Sequence, residues 1–207
     1  MDKNKKAMLI ALVLGDGFIK VDTRRKNHVA SLKICHSIKQ KELVEYKATL
    51  LHSYLGGRYP KINEYECNLN GVLFKQLRFE KAHRYFKVLR RWMYPNKYAI
   101  LKYLTPQAIA LWYMDDGSIV VNNRYPDGSF RSARTNIHTC CKTRDVAQAI
   151  CDYFQQRWGI KFSLFNEKGL FSIRCFHREG EKFHKLIHPF VIPSMSYKQR
   201  FYYDTSA

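Results

Sequence analysis

No stretch of this chain approaches the roughly 18 to 20 consecutive apolar residues that a bilayer-crossing helix needs, which argues against a membrane protein. One apolar run, Ala7 to Leu14, follows the basic start Lys3-Asn4-Lys5-Lys6 and imitates a signal peptide. It lacks a small-residue cleavage site and is cut off by Gly15-Asp16-Gly17, so it reads as a buried helix. The six cysteines (35, 67, 140, 141, 151 and 175) lack C-x-x-C spacing and are too sparse for a disulfide framework. Reduced thiols are expected, and with them an intracellular, reducing compartment: an organelle matrix, or bacterial or phage cytoplasm. Cys175, His177, His184 and His188 lack the second cysteine pair that would make them a persuasive zinc site. No Pro/Ser linker divides the chain, and no intein splicing residues frame it.

Acidic side chains are also scarce: 17 Asp and Glu stand against 36 Lys and Arg, for a formal charge of +19 over 207 residues. The surplus is spread along the chain, +13 over residues 1–100 and +6 over 101–207, so it is not a basic tail on a neutral domain. A content of 46% hydrophobic and 14% aromatic residues excludes a disordered polycation. A folded basic body of this size suits a polyphosphate partner, nucleic acid first.

What is present is a repeat. Ala7-Met8-Leu9-Ile10-Ala11-Leu12-Val13-Leu14 runs into Gly15-Asp16-Gly17; Ala108-Ile109-Ala110-Leu111-Trp112-Tyr113-Met114 runs into Asp115-Asp116-Gly117. Asp16 and Asp116 are 100 positions apart. Each half later closes on a lysine after a proline, Lys97 and Lys198, at 81 and 82 positions from its aspartate. The periodicities predict helix, two strands, helix, two strands, helix in each half. In the first half the helices fall at 4–15, 38–55 and 80–92, with strands at 18–24, 29–35, 58–63 and 72–79. In the second the helices fall at 106–115, 144–158 and 178–188, with strands at 118–124, 133–141, 160–166 and 170–176. The fold class is therefore α+β, with halves at 1–97 and 98–207.

The strands alternate. Ile19 and Val21, Ala30, Leu32 and Ile34, and Leu73, Leu77 and Phe79 supply an apolar face for covering helices; Arg, Lys, Asn and Gln dominate the other. Such side chains bond base edges and phosphates. The candidate DNA-contacting set is Lys20, Asp22, Arg24, Ser31, Lys33, Lys61, Gln76 and Arg78, then Asn122, Arg124, Arg134, Asn136, His138, Lys161 and Arg174.

An Asp-Gly pair alone is usually a turn. Here each aspartate ends a helix almost devoid of polar residues, and two such helices would pack together and bring Asp16 and Asp116 close. Paired carboxylates on a basic protein suit hard divalent cations, Mg²⁺ above all with Mn²⁺ as a substitute, two or three ions in number. These would lower the pKa of an attacking water and neutralise a leaving oxygen. Lys97 and Lys198 are candidates for stabilising the phosphate or organising the water.

Leu9 to Gly17 and Ile109 to Gly117 resemble the two nine-residue motifs of the LAGLIDADG homing endonucleases. Tyr103 to Gly117, and Ile187 to Lys198, resemble the second motif and closing segment of the single-chain, intron-encoded branch. Leu111 stands where the motif usually has a small residue. The resemblance implies two pseudo-symmetric αββαββα halves forming a saddle-shaped antiparallel sheet over double-stranded DNA. It implies metal ligation by Asp16 and Asp116, helped by backbone oxygens of Gly15 and Asp115, and catalytic roles for both aspartates and both lysines. It further implies cleavage of both strands of a long asymmetric site, with 3′ overhangs, by a monomer. The alternatives are an intron RNA-binding maturase and a non-catalytic DNA-binding regulator; both intact aspartates favour the nuclease.

Overall fold

The computed structural model describes residues 2–22, 29–69, 71–94, 98, 100–124 and 130–199. The chain divides into two compact units, Met1–Lys97 and Tyr98–Ala207. The first contains α1 (Lys3–Leu14), β1 (Phe18–Asp22), β2 (Val29–Ser37), α2 (Lys41–Leu55), β3 (Asn63–Leu69), β4 (Val72–Ala82) and α3 (Tyr85–Met93). The second repeats the order with α4 (Pro106–Asp116), β5 (Gly117–Arg124), β6 (Phe130–Cys141), α5 (Arg144–Trp158), β7 (Ser163–Glu167), β8 (Leu170–Phe176) and α6 (His177–Ile187). Each unit thus has the expected αββαββα order. Its four strands form one antiparallel sheet, β1-β2-β4-β3 in the first and β5-β6-β8-β7 in the second. Among the described residues, no helix is long and apolar enough to cross a membrane.

Within each motif helix one stretch, Ala7 to Leu14 or Ala108 to Met114, is apolar on every side, and a helical stretch of that kind has to be buried. Ala7 to Leu14 and Ala108 to Met114 are all buried. α4 starts on a capped turn: the Thr105 hydroxyl accepts from the Ala108 amide, and Pro106 sits in the first turn. α2 and α5 present apolar stripes to their sheets, Leu43, Val44, Ala48 and Leu51 in one and Ala147, Ile150, Cys151 and Phe154 in the other. They end, as expected, at Gly56 and Gly159.

Among the boundaries that differ from the periodicity reading, three have a clear physical cause. The strand expected at 58–63 is β3 at Asn63–Leu69. Pro60 has no amide for a ladder bond, and the Lys81 ammonium donates to the Gly56 and Arg58 carbonyls at 2.6 Å each, holding this stretch outside the sheet. The helix expected at 80–92 begins later, because β4 stays paired with β2 until Ala82 meets Ser31. The strand expected at 160–166 begins at Ser163: Ile160 and Phe162 turn into the core, and the Lys161 amide is taken by the Glu179 carboxylate at 2.7 Å. Lys61 and Lys161 therefore precede their strands rather than belonging to them.

Leu73 is a correction on burial. It has the parity of Leu77 and Phe79, yet it is 69% exposed, with Val72 and Phe74 also exposed beside it. β3 and β4 continue past the covering helices as a hairpin, closed where the Gly71 amide donates to the Asn68 side chain at 2.9 Å. Alternation predicts a face but not how far the helices reach along it.

Candidate active site and nucleic-acid interface

Each motif carboxylate is delivered by the end of a buried apolar helix. The glycine that follows is required by space: a Cβ at Gly17 would collide with the Leu12 carbonyl, and one at Gly117 with the Tyr113 ring and carbonyl. The chain can therefore turn directly from helix to strand only with glycine there, which places Asp16 and Asp116 one residue before it.

The two aspartates are braced by different chemistry. Asp16 lies just beyond α1 with its side chain 43% exposed, and its Oδ2 is 3.4 Å from His36 Nδ1. His36 is buried on β2; its Nε2 is 2.7 Å from the ammonium of Lys47, a wholly buried residue of α2. With Lys47 donating to Nε2, the ring proton resides on Nδ1, facing both Asp16 and the Gln40 side-chain oxygen at 3.1 Å. Asp116 ends α4 and accepts from the Trp112 indole, one helical turn back, at 2.9 Å from Nε1 to Oδ2. The first unit has Leu12 at the corresponding place, so that brace is available only in the second.

Lys198 is buried. Its ammonium donates to the carbonyls of Met114 (2.6 Å) and Asp115 (3.1 Å), and its own carbonyl accepts from the Tyr113 hydroxyl at 2.9 Å. A cation there faces the negative end of α4 and fixes the backbone that carries Asp115 and Asp116. Lys97 lies outside the described residues, as does Arg24.

The polar sheet faces can be followed through the register. In the first unit Phe18 opposes Lys33 and Lys33 opposes Glu80; Cys35 opposes Arg78 and Arg78 opposes Asn63. Lys20 is exposed and Asp22 half-buried on β1. Lys33 pairs with Glu80 at 3.5 Å. Ser31 departs from its expected open position: it is buried, and its hydroxyl donates to the same carboxylate. Gln76 accepts from the thiols of Cys35 and Cys67, and Arg78 lies over the Tyr65 ring at 4.7 Å.

In the second unit Ser118, Asn136, Arg174 and Ser163 form one row across the sheet, with Val120, Arg134 and Phe176 beside it. Arg174 lies between the Phe165 and Phe176 rings at 5.4 Å from each. Arg134 Nε, Asn136 Oδ1 and Arg174 Nε are buried and have no hydrogen-bond partner among the described residues. Unmet polar atoms clustered on one sheet face are costly unless something external completes them. His138 is bonded to the Ser118 hydroxyl at 2.9 Å and to Glu167 at 3.0 Å. Beyond it β6 is interrupted by a bulge, where Cys140 takes a φ of 48°. Asn122 and Arg124 belong to β5.

The possible zinc ligands do not gather. His184 is spent on the core, its Nε2 2.9 Å from the Thr135 hydroxyl, and burial, then the charge of His188, pushes its pKa down to about 3. Cys175 is buried and its thiol pushed up by desolvation, while His188 bonds Gln199 at 3.0 Å.

His36 and Lys47 escaped the sequence reading. Their signal was a mismatch of type and position: His36 shares the parity of Ala30, Leu32 and Ile34, and Lys47 falls on the Leu43–Val44–Leu51 stripe of α2.

Known proteins bear on this arrangement. The chain is 23% identical over 209 residues to "Probable intron-encoded endonuclease 1" of Wickerhamomyces canadensis, covering 97% of this chain and 86% of that protein. It is 26% identical over 197 residues to "Protein RecA" of Mycobacterium shimoidei, covering 92% of this chain but 45% of that protein. The chain therefore spans less than half the length of that relative. Among solved structures, the homing endonuclease I-WcaI bound to its DNA recognition sequence superposes with a TM-score of 0.76 at 23% identity, over 95% of this chain and 86% of that one. Residues 6–183, which include both nine-residue motifs, match the model of one family, and the chain belongs to the LAGLIDADG DNA endonuclease family.

Proposed function

We propose that this protein is a monomeric, site-specific endonuclease that hydrolyses both strands of a long asymmetric DNA site and leaves 3′ overhangs. The observation that carries the reading is one aspartate per unit, each set at the end of a buried helix and locked there by the following glycine. The orphaned polar atoms of Arg134, Asn136 and Arg174 support a duplex on the polar sheet faces, whose groove edges offer complementary donors and acceptors.

Asp16 and Asp116, together with the Gly15 and Asp115 carbonyls, are all-oxygen donors. They fit a hard divalent cation such as Mg²⁺, with Mn²⁺ as a substitute, better than a soft one. When bound, such ions supply charge neutralisation at the phosphate and a more acidic water. The protein's own residues do the rest. His36 and Trp112 fix the orientation of the two carboxylates, so each presents its oxygens without reorganising during reaction. Lys198 holds the Met114 and Asp115 carbonyls and with them the backbone entering Asp116. The polar faces bind the duplex and set its register. The six free thiols support a reducing compartment.

The test is incubation with a plasmid carrying the uninterrupted host gene, with and without Mg²⁺. Metal-dependent linearisation at one position supports the reading. Tight duplex binding with no cutting in either condition overturns it.

A further inference from the structure

The first unit carries a second basic surface, on its helical layer rather than on the polar face of its sheet. The N-terminus of α1, the end of α2, the β4–α3 turn and α3 enclose a cleft of about 700 Å³. Residues 81–93 contain five cations (Lys81, Arg84, Lys87, Arg90 and Arg91) and no acid. Phe86, Leu89 and Met93 turn α3 onto the core, which leaves Lys87, Val88, Arg91 and Trp92 facing outward. Trp92 is 44% exposed, with the Lys6 ammonium 4.6 Å from its ring centroid; Lys5 lies 5.8 Å from the ring of Tyr54, which also lines the cleft.

Two features of this arrangement cost stability in the protein alone. Lys3, Lys5 and Lys6 crowd the first turn of α1, which has no acidic residue, although a helix N-terminus favours anions. An indole and the apolar Val88 stand open to solvent among those cations, with Asp2 as the single carboxylate in the lining. An anion carrying a flat apolar ring relieves both. His83 and Tyr54 add neutral hydrogen-bonding groups: burial, then Arg84 and Lys81, pushes the His83 pKa down, and burial pushes the Tyr54 phenol up. The His83 Nδ1 accepts from the Tyr85 amide at 3.2 Å, so its ring proton lies on Nε2.

We propose that this cleft binds unpaired RNA, with a base stacked on Trp92 and the flanking phosphates held by Lys5, Lys87 and Arg91. Its volume is that of a small-ligand pocket and admits a nucleotide rather than the side of a duplex. Stacking of splayed bases on an aromatic ring beside cations is the general mode of single-strand recognition. The neutral phenol and imidazole in the same wall are partners for a ribose 2′-hydroxyl, which distinguishes RNA from single-stranded DNA.

The test uses the full chain in EDTA, so it reads binding without cleavage and stands whether or not the nuclease reading does. The probe is a fluorescein-labelled oligouridylate of about ten nucleotides, followed by polarisation, with the deoxy oligonucleotide and an unlabelled duplex as competitors. The double substitution Lys87→Glu, Arg91→Glu is expected to weaken RNA binding at least tenfold. Trp92→Ala is expected to do the same, Trp92→Phe to recover most of the affinity, and all three to leave duplex binding within twofold. Retained duplex affinity also shows that the variants are folded. Unchanged RNA affinity in the double variant overturns the site; displacement of RNA by duplex overturns its separateness; equal affinity for the deoxy oligonucleotide overturns the assignment to RNA.

Discussion

At the scale of single residues, a contrast separates what the motif aspartates do from what surrounds them. Asp16→Asn or Asp116→Asn keeps the size and removes the charge, so double-strand cutting should be lost while duplex binding persists; a plasmid linearisation assay beside a gel shift reads both. Lys198 sits behind the chemistry. Replacing it by methionine removes two charge-assisted hydrogen bonds, each worth about 1.5–3 kcal/mol. It should lower the Tm and slow cleavage at least tenfold, with duplex affinity within about twofold. A pure loss of affinity would make Lys198 a phosphate clamp instead. The Lys47–His36 pair predicts a different pattern. His36→Ala removes one acceptor, 2.7 Å from a wholly buried ammonium, and should destabilise by about 1.5–3 kcal/mol. Lys47→Met added to it should recover stability, because it removes the buried charge; urea unfolding of both variants measures the difference.

Secondary-structure elements show which parts of the molecule were legible in the sequence. α5 and β8 occupy the residues that periodicity assigned, 144–158 and 170–176, because their apolar spacing coincides with what they bury. β3 was misplaced because the deciding interaction is long-range: Lys81, more than twenty residues on, captures the Gly56 and Arg58 carbonyls where the expected strand would have begun. Leu73 misled because the reach of a covering helix is a tertiary fact. The motif aspartates were legible, since helix, acid and glycine are adjacent in the chain; their braces were not, since His36 and Lys47 come from other elements. The same distinction governs His184, which the sequence offers only as a weak zinc candidate and which the fold places in the α6–β6 core. Its folded pKa of about 3 lies below the ordinary 6.5. The unfolded chain therefore binds the extra proton first as pH falls. This contribution is complete above pH 6.5 and lost on acidification, at up to about 1.4 kcal/mol per pH unit. His184→Gln should flatten the fall in unfolding free energy between pH 6.5 and 4, at some cost in stability at neutral pH.

For the whole molecule, the charge of +19 makes affinity a question of ionic strength before it is one of sequence. Each phosphate neutralised by a lysine or arginine releases condensed counter-ions, so log affinity falls against log salt with a slope near −0.9 per contact. If about six phosphates are engaged, duplex binding should weaken about a thousandfold between 50 and 200 mM salt. A flat response would remove the electrostatic basis for a duplex partner. The two basic surfaces of the first unit then become separable by one measurement. Lys20, exposed on β1, belongs to the polar face of the sheet, so Lys20→Gln should make the duplex slope shallower by about one unit. Lys87 and Arg91 lie on the helical layer; their reversal should leave the duplex slope unchanged and make the slope for single-stranded RNA shallower. The opposite assignment of slopes would mean that the duplex rests on the helices, and the polar sheet faces would lose their role.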